Sequence, residues 1–145
     1  MKKVLFDTSV LVAASISSHK HHKIARGFLQ KAISKKIDYF VSSHSLLECY
    51  SVLTRIPLQP KLSPAFAIQI INENIKSHAK IVTLSAKQYF QLIEELVDRN
   101  LKGGITYDAL ILASAKFAEV NKVLTFNKKD FLKIYNNESF IVDKI

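Results

Sequence analysis

Val4-Leu5-Phe6-Asp7-Thr8-Ser9-Val10-Leu11 is the stretch on which the fold turns. Val4, Leu5 and Phe6 are apolar without alternation, the pattern of a strand covered on both faces. The run stops at Asp-Thr-Ser, three residues suited to helix N-termini, and apolar residues resume at Val10 and Leu11. The segment reads as a buried strand over residues 2–6 feeding a helix, with Asp7 at the strand's carboxyl end.

Working outward, Ile24, Ala25, Phe28, Leu29, Ala32 and Ile33 recur at helical spacing and predict an amphipathic helix over 22–36. Tyr39-Phe40-Val41-Ser42 is a second strand, followed by a helix over 45–56 that Pro57 and Pro60 end. Ser63-Pro64 opens another helix, carrying Phe66, Ile70 and Ile71 on one side. A third strand over 80–84 precedes a helix capped by Ser85, bearing Tyr89, Phe90, Ile93 and Val97 and stopped by Gly103-Gly104. Residues 106–120 are apolar nearly all round a helix, which places that helix in the middle of the fold. A strand over 122–126, a helix over 127–135 and a last strand over 140–142 complete the chain. Strands alternating with helices predict one α/β domain over 1–145, a three-layer α/β/α sandwich with a central, mostly parallel sheet.

Composition narrows the function. With 48% hydrophobic and 23% charged residues the 145-residue chain buries a core rather than staying disordered. No apolar run reaches the ~18–20 residues of a membrane span, and Asp7 interrupts the N-terminal apolar segment, so neither a span nor a secretion signal is expected. The cytoplasm is the expected location. A lone cysteine, Cys49, excludes an internal disulfide and a thiolate cage, and reads as core. The net charge of +9, from 21 basic against 12 acidic residues, attracts polyanions: nucleic acid or an acidic protein partner. No P-loop and no Gly-x-Gly-x-x-Gly appears, so nucleotide binding has no support.

Ligands of doubly wound sheets sit beyond the carboxyl ends of the strands. Asp7 and Asn127 each follow a strand, Glu48 is expected in the first turn after the second strand, and Asp108 in the first turn of the buried helix. Each has a structural alternative. Asp7, Thr8 or Ser9 could cap a helix, Ser45-Leu46-Leu47-Glu48 matches a capping box, Asp108 faces a helix dipole, and Asn127 is a good N-cap with Asp130 three residues on. Against capping, Asp108 stands in an otherwise apolar helix, where an unpaired carboxylate is costly. Three acids brought together also need a cation, and an all-oxygen set suits Mg²⁺ or Mn²⁺. Thr8 and Thr106 could orient water or phosphate oxygens, or cap. His19-Lys20-His21-His22 reads as a solvated loop whose spacing matches no zinc motif. Arg26, Lys31, Lys35 and Lys36 form a basic helix face, and Arg55 could pair with a carboxylate or phosphate.

Four ordered segments then resemble a known family. Val4–Leu11 resembles the opening motif of PIN domains. Ser42-Ser43-His44-Ser45-Leu46-Leu47-Glu48, with Val52-Leu53-Thr54-Arg55 behind it, is similar to the second acidic motif. Gly104-Ile105-Thr106-Tyr107-Asp108-Ala109-Leu110-Ile111 resembles the third, and Leu124-Thr125-Phe126-Asn127-Lys128-Lys129-Asp130-Phe131 the fourth. Length and basicity look most like the VapC toxins of type II toxin–antitoxin pairs. The resemblance implies an endoribonuclease using one or two Mg²⁺ or Mn²⁺ ions, an antitoxin partner and a homodimer. Asp7 and Asp108 would be metal ligands, and Glu48 a ligand or a water-orienting base. Asn127 departs from the common pattern by replacing a carboxylate, with Asp130 one turn later, which leaves either to complete the site.

Rival enzymes fail on residues. A haloacid-dehalogenase-like phosphatase needs a second aspartate where Ser9 stands, and a receiver domain needs paired acids after its first strand. A non-catalytic RNA-binding or protein-interaction module with a degenerate site remains the alternative, favoured by Asn127 and opposed by the three acids.

Overall fold

β1 (Lys3–Phe6), β2 (Asp38–Ser42), β3 (Lys80–Val82), β4 (Lys122–Thr125) and β5 (Ile141–Lys144) form a five-stranded sheet in the order β3-β2-β1-β4-β5. Every pairing is parallel. The computed structural model describes residues 1–135 and 140–144.

Successive strand residues divide between two cores, as the strand's period of two requires. Val4, Phe6, Tyr39, Val41 and Leu124 pack on one face, Leu5, Phe40 and Val123 on the other. The first face is covered by α1 (Thr8–Ser15), α2 (His22–Ile33), α3 (Ser43–Arg55) and α4 (Pro64–Ile71), the last running into a π-helical turn, Asn72–Lys76. The second is covered by α5 (Ala86–Asp98), α6 (Ile105–Phe117) and α7 (Lys128–Ile134). This is the expected three-layer sandwich, and the sheet is parallel throughout.

The chain leaves β1 in one direction toward β2 and β3 and returns on its other side as β4 and β5. β1 is therefore the switch point, and the crevice opens beyond the carboxyl ends of β1 and β4. Asp7 stands there.

Several expectations shift. α3 starts at Ser43 with Ser42 as its N-cap, which puts Glu48 in the second turn and dissolves the capping box on Ser45. Ser85 does cap α5, forming a capping box with Gln88. The apolar stripe on α5 points outward. Leu92 and Leu96 face the core while Phe90, Ile93 and Val97 are 68%, 52% and 71% exposed. On α4 the buried residues are Ala67 and Ile71, continued by Ile75, and Phe66 is exposed. α5 ends at Asp98, with Asn100 in the left-handed region, and Gly103-Gly104 open α6 instead. No helix among the described residues is long and apolar enough to cross a membrane.

Candidate active site

The backbone of Asp7 is stitched to the sheet: its N–H donates to the Leu124 carbonyl of β4, and its own carbonyl accepts from Val10 and Leu11. The side chain is buried and takes three donors. Thr8 N–H reaches Oδ1 at 2.8 Å, while Ser9 Oγ and Thr125 Oγ1 each reach Oδ2 at 2.8 Å. Ser9 Oγ in turn accepts from Phe126 N–H, and Thr125 Oγ1 from Asn127 N–H. Burial pushes the Asp7 carboxyl above its ordinary value; these hydrogen bonds pull it back, and Glu48 adds a smaller upward push. Asp7 both caps α1 and lines the crevice.

Glu48 sits one layer away on α3. Its Oε2 is 3.3 Å from Thr8 Oγ1 and 3.0 Å from His44 Nε2. Thr8 Oγ1 also reaches buried Ser45 Oγ at 2.9 Å, so its single proton serves one acceptor at a time. His44 stacks on Tyr107 with ring centroids 5.1 Å apart and planes 3° from parallel. α1, α3 and α6 meet through this chain of contacts.

Asp108 is half-buried in the first turn of α6. Among the described residues its carboxylate accepts no hydrogen bond and pairs with no cation. Burial first, then the charges of Asp7, Asp130 and Glu48, raise it to about 6. Asp7, Glu48, Asp108 and Asn127 line a single cavity of about 370 Å³. Asn127 precedes α7 without a side-chain cap bond, so its amide is free to face the cavity. Asp130 is exposed, lies outside that lining and pairs with Lys133 at 3.4 Å. Thr106 also lies outside it, its N–H donating to the Gly103 carbonyl. Among the described residues no three His, Cys, Asp or Glu side chains close into a ready metal cage. The acids share a cavity without closing on one another.

Several residues at the cavity were not singled out by sequence reasoning. Ser9 and Thr125 hold Asp7, and Ser45 and His44 hold Thr8 and Glu48. Short polar residues at strand ends were the only signal, and capping explained them equally well. The histidine cluster is a correction: His19, Lys20 and His21 line the cavity, and His21 stacks on Phe126 at 4.4 Å. Burial, then the charges of His21, Lys20 and His22, hold His19 below its ordinary pKa. Cys49 is buried as expected, with its thiol pushed up by that burial.

Residues 4–137 match the family model of the PIN domain. The chain belongs to the PIN-domain family. All four motifs read in the sequence fall inside the matched span. Ribonuclease VapC40 of Mycobacterium tuberculosis is 35% identical over 119 residues, 82% of each chain. The crystal structure of VapC20 from the same species, a Sarcin-Ricin loop cleaving toxin, superposes with a TM-score of 0.70 at 16% identity, covering 92% of this chain and 97% of that one. VapBC2 from Rickettsia felis, bound to a DNA fragment from its promoter, gives a TM-score of 0.66 at 23% identity over 98% of both chains. At those identities the two structures speak for the PIN fold alone.

Proposed function

We propose that this chain is a metal-dependent endoribonuclease, the toxin of a type II toxin–antitoxin pair, folded as one PIN domain over residues 1–145. The observation that carries the reading is Asp108: a half-buried carboxylate without a partner among the described residues, in one cavity with Asp7 and Glu48. A relative at 35% identity is called a ribonuclease, and the donor set is all oxygen, as Mg²⁺ or Mn²⁺ requires. Such an ion, when bound, would supply the charge that lets the acids ionise together and lower the pKa of water so that, on losing a proton, it can attack a phosphodiester.

The residues divide the remaining work. Asp7, immobilised by Thr8, Ser9 and Thr125, and Asp108, which accepts no hydrogen bond among the described residues, would hold the cation. Glu48, steadied by Thr8 and His44, is a further ligand or orients the attacking water. Asn127 supplies a neutral oxygen at the same cavity; Asp130 acts on Asp108 through its charge alone. Thr8 and Thr106 serve the acids' neighbourhood, Thr8 by direct contact with Glu48 and Thr106 by holding the first turn of α6.

Partners follow from the surface. The +9 charge suits RNA phosphates, and the exposed stripe of Phe90, Ile93 and Val97 on α5 suits a homodimer contact. An antitoxin that covers the cavity, and a cytoplasmic location, fit the likeness to VapC proteins. The rival reading, an RNA-binding module with a degenerate site, is favoured by Asn127. Incubating partner-free protein with a mixed RNA pool, in Mg²⁺ or Mn²⁺ and in EDTA, separates the two. Cleavage that EDTA abolishes is expected; cleavage indifferent to EDTA, or none with either ion, rejects the proposal.

A further inference from the structure

Two stacked aromatic pairs stand at the rim of the acidic cavity, and the chemistry assigned to the acids uses neither ring face. Tyr107 lies flat on His44, whose ring is fixed by its 3.0 Å contact with Glu48, yet Tyr107 is 57% exposed while lining the cavity. His21 lies flat on Phe126, with planes 13° apart, and lines the same cavity. His44 follows β2 and Phe126 follows β4, the two strands that flank β1. The pairs therefore bracket Asp7 along the sheet edge. Lys20, between His19 and His21, brings a cation to the same rim.

Core packing accounts poorly for an aromatic ring more than half exposed at the mouth of a polar cavity. Basic charge draws any phosphate chain but is blind to bases, whereas a preoriented ring beside the acids offers each nucleobase a π-face. We infer that Tyr107 and His21 are base-stacking platforms, receiving the nucleobases on either side of the phosphodiester presented to the acids. The inference rests on the nuclease reading above and adds the residues that receive the bases. The RNA must be unpaired at that position, because bases inside a duplex already spend both faces on their neighbours.

Binding measured in EDTA tests this without hydrolysis and without a known cleavage sequence. The probes are a labelled dodecameric oligouridylate and an abasic ribose-phosphate dodecamer of the same charge, with an RNA duplex of equal length as a third. Wild type should prefer the oligouridylate over the abasic chain by about tenfold or more, as expected for one or two stacked bases. Tyr107→Ala and His21→Ala should each cut that preference by about fivefold or more, and Tyr107→Phe should keep it. The duplex, which carries twice the phosphates, should bind the alanine variants as it binds wild type. Unchanged preference in both alanine variants, or a wild type without preference, overturns the platforms. Cleavage of the RNA pool by wild type in Mg²⁺, run alongside, keeps the two readings apart. Base preference lost in the variants without any cleavage sinks the nuclease and keeps the platforms; cleavage with an unaltered preference does the reverse.

Discussion

Two carboxylates face the same cavity under opposite conditions. Asp7, 5% exposed at the corner between β1 and α1, is held by a backbone N–H and two hydroxyls. Asp108, in the first turn of α6, has no partner among the described residues. A carboxylate offers about four acceptor positions, so Asp7 has most of its capacity committed to the fold and Asp108 has all of it in reserve. The contrast separates two jobs that an acid at a site can hold. Asp7 is tied into the corner where the crevice begins, and Asp108 carries a charge that no side chain among the described residues pairs with.

If both jobs serve catalysis, Asp7→Asn and Asp108→Asn should each lower RNA cleavage by about a thousandfold or more, the scale set by losing a metal-held charge in the transition state. Glu48→Gln should lose less, about a hundredfold, as expected for a base or water-orienting group. Cleavage of a common RNA at saturating Mg²⁺ measures all three. Near-wild-type turnover in either aspartate variant would break the assignment outright.

Stability should divide the same two residues. Asp7→Ala strands Ser9, Thr125 and the Thr8 N–H in a buried corner and should destabilise the protein by about 1–3 kcal/mol. Asp108→Ala, with no partner to strand, should not. Urea titration of both in EDTA is the measurement. Equal losses would mean that Asp108 has a structural partner after all.

How far the sequence carried depends on which physical signal each feature needs. The sheet and its layers were legible because buried parallel strands show as short apolar runs, and Val4, Leu5 and Phe6 are unambiguous. The faces of α4 and α5 were not. Periodicity shows that Phe90, Ile93 and Val97 share a side of a helix, but not whether that side meets this chain or another surface. Leu92 and Leu96, two apolar residues on a neighbouring face, took the core. Within the site, Asp7 and Glu48 were legible through their placement after strands, and Asp108 as a carboxylate in an otherwise apolar helix. The capping alternative for Glu48 failed only because α3 begins two residues earlier than Ser45 suggested, a boundary that no local pattern marks. Ser9, Thr125 and the two aromatic stacks depend on contacts between residues far apart in sequence, and the sequence alone carries no trace of those.

Asn127 sharpens the comparison from a third side, since it lines the cavity with a neutral amide. Asn127→Asp adds a charge whose attraction for a nearby cation is about 1 kcal/mol in water and more in a partly enclosed cavity. Divalent binding followed by calorimetry should tighten by about fivefold or more. Affinity left unchanged would place Asn127 outside the cation's reach, as a residue that only precedes α7.

The smallest effect is the most discriminating, because its sign differs between a reserved charge and an architectural one. The Asp108 carboxyl ionises near 3.8 when unfolded and is raised to about 6 in the folded protein. The folded state therefore favours the protonated form. This contribution to stability is fully present below pH 3.8 and is lost as pH rises through about 6. Asp108→Asn removes that loss. In EDTA the variant should match wild type in acid and exceed it above about pH 7, by about 1 kcal/mol once solvent screening of a half-exposed group is discounted. Mg²⁺ should stabilise wild type through binding to the native state and leave the variant where it was. A carboxylate that merely faces the α6 dipole gives the reverse, a variant less stable at neutral pH by about 0.3–1 kcal/mol with or without metal. Thermal melts of both proteins across pH, in EDTA and in Mg²⁺, read the sign directly. A variant weaker than wild type at neutral pH, in a protein indifferent to Mg²⁺, would return Asp108 to the architecture of α6 and leave Asp7 as the better-supported member of the site.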